Sequence, residues 1–226
     1  TSMQRLRVAI CTSSPNKTPK KALLQYEHQA IAKERKLMVA VAAKWTLEDY
    51  HRMIESGVLD HRRVELIKGE IVEMAPEGKP HADFSAKAGN YLVRLLGDRA
   101  EVRPAKPITL PDASEPEPDV AIVQPFEDEY LEHHPYPQNI FWLIEYSNTT
   151  LKKDLELKSQ VYAEVDIREY WVVNLKNRSV IVFRQPENGQ YTTSETYTEG
   201  SITPLAFPDV SIPVTSLVKS RKLGKR

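Results

Sequence analysis

The spacing of hydrophobic and polar positions changes several times along this chain, and each change predicts an element. Over 46–56, Thr46 and Asp49 stand at capping-box spacing ahead of an amphipathic run that Gly57 closes, which predicts a helix. "VELIKGEIVEM" (64–74) reads as a β-hairpin turning at Lys68-Gly69. From His81 to Leu96, Phe84, Ala88, Tyr91, Leu92 and Leu95 recur at helical spacing, and Gly97 ends the run. "VRPAKPITL" (102–110) holds two prolines, which suit an edge or irregular strand. Three apolar runs follow, VAIV (120–123), FWLIEY (141–146) and EYWVVNL (169–175), with a helix between the last two, and SVIVFR and QYTTSETY add further strands. Strands that are apolar on both faces and alternate with helices imply an α/β fold with a mixed central β-sheet flanked by helices. An N-terminal helix and a β-hairpin precede that sheet.

Residues 1–37 have a different character: a polar, turn-rich half is followed by a stretch suited to a short helix. A domain is therefore expected over 38–217, between an N-terminal extension and a basic tail at 218–226. No apolar run approaches the ~20 residues that cross a bilayer, and no compact apolar core of a secretory signal opens the chain. The single cysteine, Cys11, has no disulfide partner, so a cytoplasmic, reducing setting is expected. The formal charge of zero hides an uneven distribution. Residues 1–37 carry eight Lys or Arg against two Glu, 219–226 carry five basic residues and no acid, and the body between is at about −11. A body of that sign does not attract a phosphate backbone by net charge, so binding nucleic acid would need a local basic patch, the tails or metal ions.

Candidate chemistry begins at "EPEPDVAIV" (115–123), where Asp119 stands at the mouth of an apolar strand. A carboxylate there must be paired, hydrogen-bonded or bound to a metal. Glu145 interrupts the next apolar strand in the same way, and two such acids on neighbouring strands would lie side by side. Oxygen-only ligands of this kind suit Mg²⁺ or Mn²⁺. Asn148 to Thr150 offer N-cap groups, and beyond them Asp154, Lys158 and Tyr162 recur at intervals of four on one helix face, so that Lys158 projects towards the carboxylates. The competing reading makes Asp154 and Lys158 a pair on a wet helix surface, and on either reading Lys158, as an exposed or rim residue, is expected to contribute little to stability. His81 reads as a structural or site-rim residue, His133 and His134 as part of a solvated loop, and Trp142, Tyr170 and Trp171 as core.

The order of the hairpin, a helix begun by His81, "EPDVAIV", "LIEYSNTTLKKDLELKSQVYAEVDIREYWVV" and a closing strand resembles the Uma-two family of bacterial endonucleases, a branch of the PD-(D/E)XK nuclease fold, over about 45–217. The resemblance implies a restriction-endonuclease-like core and Mg²⁺-dependent hydrolysis of DNA phosphodiester bonds. By the same implication Asp119 and Glu145 are metal ligands, and Glu65 is an acidic position near the site. Two residues after Glu145 stands Ser147, where the wider superfamily has a lysine. The family's substitute on the next helix falls on Lys158, with Tyr162 one turn further on. DNA is the expected partner, and by analogy a homodimer the expected assembly. The alternatives are a non-catalytic nuclease-fold protein that binds nucleic acid or a protein partner, and a scaffold whose carboxylates are satisfied by basic side chains.

Overall fold

A reciprocal cap starts the first helix. The Asp49 amide donates to Thr46 Oγ1 (3.1 Å), while the Asp49 carboxylate accepts from the Thr46 amide (3.3 Å) and launches α1, Leu47–Glu55. In this computed structural model the described residues are 42–148 and 154–218. The chain divides into two units, Thr1–Ala43 and Lys44–Arg226, and all that follows concerns the second. The expected extension at 1–37, Cys11, the caps offered by Thr149 and Thr150, and the tail from 219 lie outside the described residues. Because the cap satisfies backbone donors at an exposed position, Thr46→Ala is expected to cost about 1 kcal/mol. Denaturant unfolding would show this as a lower midpoint with an unchanged slope.

The hairpin joins β1 (Val64–Ile67) to β2 (Glu70–Glu73). Its two turn residues, Lys68 and Gly69, both have positive φ, 49° and 74°. Such a turn matches the twist of the strands it connects. A side chain at 69 would also meet Lys44 Cβ at 2.9 Å, which makes glycine the residue that fits. The hairpin is docked by backbone bonds, Glu115 N–H to Leu66 (2.7 Å) and Gly69 N–H to Ala113 (2.9 Å). These place Glu65 beside the segment that leads to Asp119.

Helix α2 spans Lys79–Leu96, with Pro80 in its first turn, so it begins two residues ahead of His81. Six strands then form the central sheet in chain order: β3 (Glu101–Pro104), β4 (Val120–Val123), β5 (Ile140–Ser147), β6 (Glu169–Asn174), β7 (Ser179–Glu187) and β8 (Gln190–Tyr197). All neighbours are antiparallel except β5 and β6, which are parallel and joined through the helical segment between them. Of "VRPAKPITL", residues 102–104 alone belong to a strand, at the sheet edge as the prolines suggest. A short helix α3 (Ser159–Glu164) precedes β6, and the described residues after β8 form a two-stranded ribbon, β9 (Ser201–Ile202) with β10 (Ile212–Pro213), and a short helix α4 (Val214–Val218).

Alternation along the strands divides the core into two layers. Val120, Ile122, Trp142, Ile144 and Trp171 pack with α2 on one face. Ala121, Val123, Leu143, Tyr170 and Val172 pack with Val161 and Tyr162 of α3 on the other. Trp142, Tyr170 and Trp171 are fully buried, as core residues should be. Glu169, which opens β6, is also fully buried and ties the sheet to the loop at 203–205. The loop "YLEHHPYPQ" departs from expectation: it lies against 3₁₀ turns, with His133 stacked on Tyr136 at 4.5 Å, and both His133 and His134 are half-buried. Aromatic and proline surfaces there cover the imidazoles that a solvated loop would have exposed. Among the described residues no helix is long and apolar enough to cross a membrane.

Candidate functional site

Period-two alternation puts Asp119, Ala121 and Val123 on the same face, as it does Leu143 and Glu145. In the antiparallel register of β4 with β5, Val120 faces Ile144. One step further along, Asp119 stands opposite Glu145. Beyond the last ladder pair the Asp119 carboxylate takes the place of a strand, accepting the Tyr146 amide on Oδ2 at 2.6 Å. Its Oδ1 lies 2.8 Å from His81 Nε2, in the first turn of α2.

Glu145 points into the layer formed by the helical segment. Its Oε1 accepts from Lys158 Nζ at 2.7 Å and from the Tyr162 hydroxyl at 3.0 Å. Lys158 Nζ is also 3.6 Å from Glu65 Oε2, so one ammonium bridges the hairpin and the sheet. The shared helix face is thus realised, but through a different local structure. Asp154–Lys158 is π-helical, and α-helix begins only at Ser159. The wet-surface reading of Asp154 and Lys158 is overturned, since the two are only 4 % and 5 % exposed. The helical segment packs on the sheet, and Asp154 and Lys158 are enclosed with the carboxylates while Glu156 and Glu164 stay exposed.

The electrostatics follow from this enclosure. Burial pushes the Glu145 carboxyl up; Lys158 opposes the push, Asp119 and Asp154 add to it, and the result is about 8. Burial alone would lower Lys158, but Glu145 and Glu65 outweigh it and hold the ammonium well above its ordinary value. Burial and the Glu145 charge raise Tyr162, which therefore stays a neutral donor. Burial would also lower His81, yet Asp119, with Glu77 and Asp154 behind it, raises it above its usual value.

Glu65, Asp119, Glu145 and Lys158 all line one cleft of about 220 Å³. His81, Arg63, Glu77, Glu117, Tyr146 and Asp154 line it too. The three acids of "EPEPD" part company: Glu115 turns away to His51 (2.9 Å) and Thr109 (3.0 Å), Glu117 faces Arg63, and Asp119 enters the site. Arg63 and Glu77 carried no signal in the sequence beyond the nearness of Arg63 to Glu65, because the hairpin and the loop before α2 meet only in the folded chain. Among the described residues no three His, Cys, Asp or Glu side chains are grouped as a ready metal cage.

Two comparisons bear on the domain described above. The model of the family described as "Uma2: Putative restriction endonuclease" matches residues 47–215. The solved structure of "a putative nuclease belonging to DUF820" from Anabaena variabilis superimposes with a TM-score of 0.57 at 15% identity, over 76% of this chain and 96% of that one. At that identity the likeness shows a shared fold. No curated protein matches the sequence.

Proposed function

This chain belongs to the Uma2 family, which matches it over residues 47–215, and from that premise we propose that it is a divalent-metal-dependent endonuclease hydrolysing phosphodiester bonds of DNA. The observation that carries the reading is the buried contact of Lys158 with Glu145 at 2.7 Å, in the cleft that Asp119 also lines. A scaffold gains little from such burial, because enclosing charges costs about as much as pairing them returns.

The donor set fits a hard cation. Asp119 and Glu145 offer only oxygen, and Asp119 and Asp154 both raise the Glu145 carboxyl, a repulsion that a cation relieves. Mg²⁺ keeps several waters and needs only one or two carboxylates, so a cage of three protein ligands is not required. In this reading Asp119 and Glu145 would hold the ion, which would supply an acidified water and offset charge on the phosphate. Tyr162 fixes Glu145 Oε1, and Glu65 steadies Lys158 from the hairpin side. Lys158 stays protonated, so it acts on the developing phosphate charge as a fixed ammonium donor and not as a base. His81 orients Asp119.

The direct test is cleavage of plasmid and oligonucleotide DNA with Mg²⁺ or Mn²⁺, using Asp119→Ala protein as the blank for contaminating nuclease. Parent protein that does no better than the blank would favour the non-catalytic reading. A second measurement needs no substrate. At ten times its dissociation constant the ion should stabilise the fold by about 1.4 kcal/mol. The resulting shift in melting temperature should vanish in Asp119→Ala and in Glu145→Ala, and an unchanged shift in both would place the ion elsewhere.

A further inference from the structure

The cleft does not end at the carboxylates. Along Met74 to Glu77 it continues into an open groove of about 680 Å³ whose other wall is His61, Arg62 and Arg63. Arg63 lines both spaces, and its own carbonyl is pinned by the Met74 amide at 2.8 Å, which fixes where its side chain starts. The guanidinium is half exposed and lies between two carboxylates, 3.1 Å from Glu77 and 4.0 Å from Glu117.

We infer that this groove is the track of the DNA backbone, and that Arg63 exchanges Glu77 and Glu117 for a substrate phosphate next to the one attacked. The inference rests on the nuclease reading above and adds how the substrate is held. The acidic body repels DNA, so a strand can approach the carboxylate cleft only beside local cations, and the 61–63 wall supplies them where groove and cleft meet. A planar guanidinium matches a phosphate with two parallel bonds. Its present pair with Glu77 is exposed, and exposed pairs contribute so little that exchanging the partner costs little. Glu77 is then a competitor for Arg63, which keeps the groove neutral until a phosphate displaces it.

This gives Arg63 and Glu77 opposite signs. Affinity for a short DNA duplex is measured with Ca²⁺ in place of Mg²⁺, over a series of salt concentrations, for the parent, Arg63→Gln, Glu77→Gln and the double variant. Arg63→Gln should weaken binding by about 10-fold or more, the scale of one charge-assisted contact. It should also flatten the slope of log affinity against log salt by about 0.9. Glu77→Gln should tighten binding, and the double variant should behave as Arg63→Gln. In cleavage assays Arg63→Gln should raise KM far more than it lowers kcat. Melting temperatures close to the parent's will show that all three variants fold. If Arg63→Gln binds and cuts like an active parent, the inference falls and the nuclease reading stands. If Glu77→Gln weakens binding as Arg63→Gln does, the pair is merely structural and the inference again falls. A parent that neither binds nor cuts DNA overturns both.

Discussion

Lys158→Ala is expected to lose about 100-fold or more of metal-dependent cleavage and, unlike an ordinary lysine substitution, about 3–5 kcal/mol of stability. The first figure is that of one preorganised charged donor. The second follows from burial: Lys158 sits 2.7 Å from Glu145 and 3.6 Å from Glu65, both nearly inaccessible, and its loss leaves their charge enclosed without a cation. Lys158→Met separates the two effects. Methionine refills the volume that alanine leaves empty while still removing the ammonium. The stability cost should therefore shrink while the loss of cleavage remains.

The pH dependence has a definite sign. The Glu145 carboxyl lies above its ordinary 4.5 in the folded protein, so its contribution to stability is complete below that value and is lost as pH rises through about 8. In Lys158→Met no cation offsets the bare carboxylate at high pH, so the melting-temperature gap to the parent should widen as pH rises. A Lys158→Met protein that cuts as fast as the parent would remove Lys158 from the chemistry. A Lys158→Ala protein as stable as the parent would contradict its place between two carboxylates.

Glu169→Ala is expected to cost about 3–5 kcal/mol with no change in the specific activity of folded protein. Its carboxylate accepts from Trp171 Nε1 (2.9 Å), from Arg184 Nε and Nη2 (2.9 and 2.6 Å) and, on the other oxygen, from the Leu205 amide (2.7 Å). Alanine leaves the Trp171 Nε1–H and the Leu205 amide without this acceptor and takes the carboxylate from Arg184, whose Nη2 keeps the Thr203 carbonyl at 2.7 Å; a lost partner costs most where water is excluded. Glu169→Gln keeps the shape but turns an NH₂ towards one set of donors, so it should cost less than alanine. Urea unfolding measures both. Glu169 lines no part of the cleft, so a fall in kcat in variants that remain folded would mean that the sheet transmits strain to the site.

Much of the architecture was legible because its causes are local. The capping box at Thr46, the Lys68-Gly69 turn and the three apolar runs each encode their element within a few residues, and all three kinds of element stand where the pattern puts them. The pairing of Asp119 with Glu145 was legible for a related reason: alternation fixes the face, and adjacent strands bring equivalent positions together. The helix after β5 was read less well. Spacing of four put Asp154, Lys158 and Tyr162 on one face, but a surface pair and a buried one share that spacing. Nor did the sequence announce the π turn, which fits the segment to the sheet.

The sequence by itself determined the order and kind of the elements, the two-faced apolar sheet and the positions of the carboxylates, since period and turn chemistry act over short stretches of chain. Tertiary structure alone decided that Lys158 is enclosed between Glu65 and Glu145, that His81 reaches Asp119, and that Arg63 meets Glu77 where cleft and groove join. Burial and charge pairing arise between segments far apart in the chain, and the energy of an ionised group depends on which of them exclude water from it.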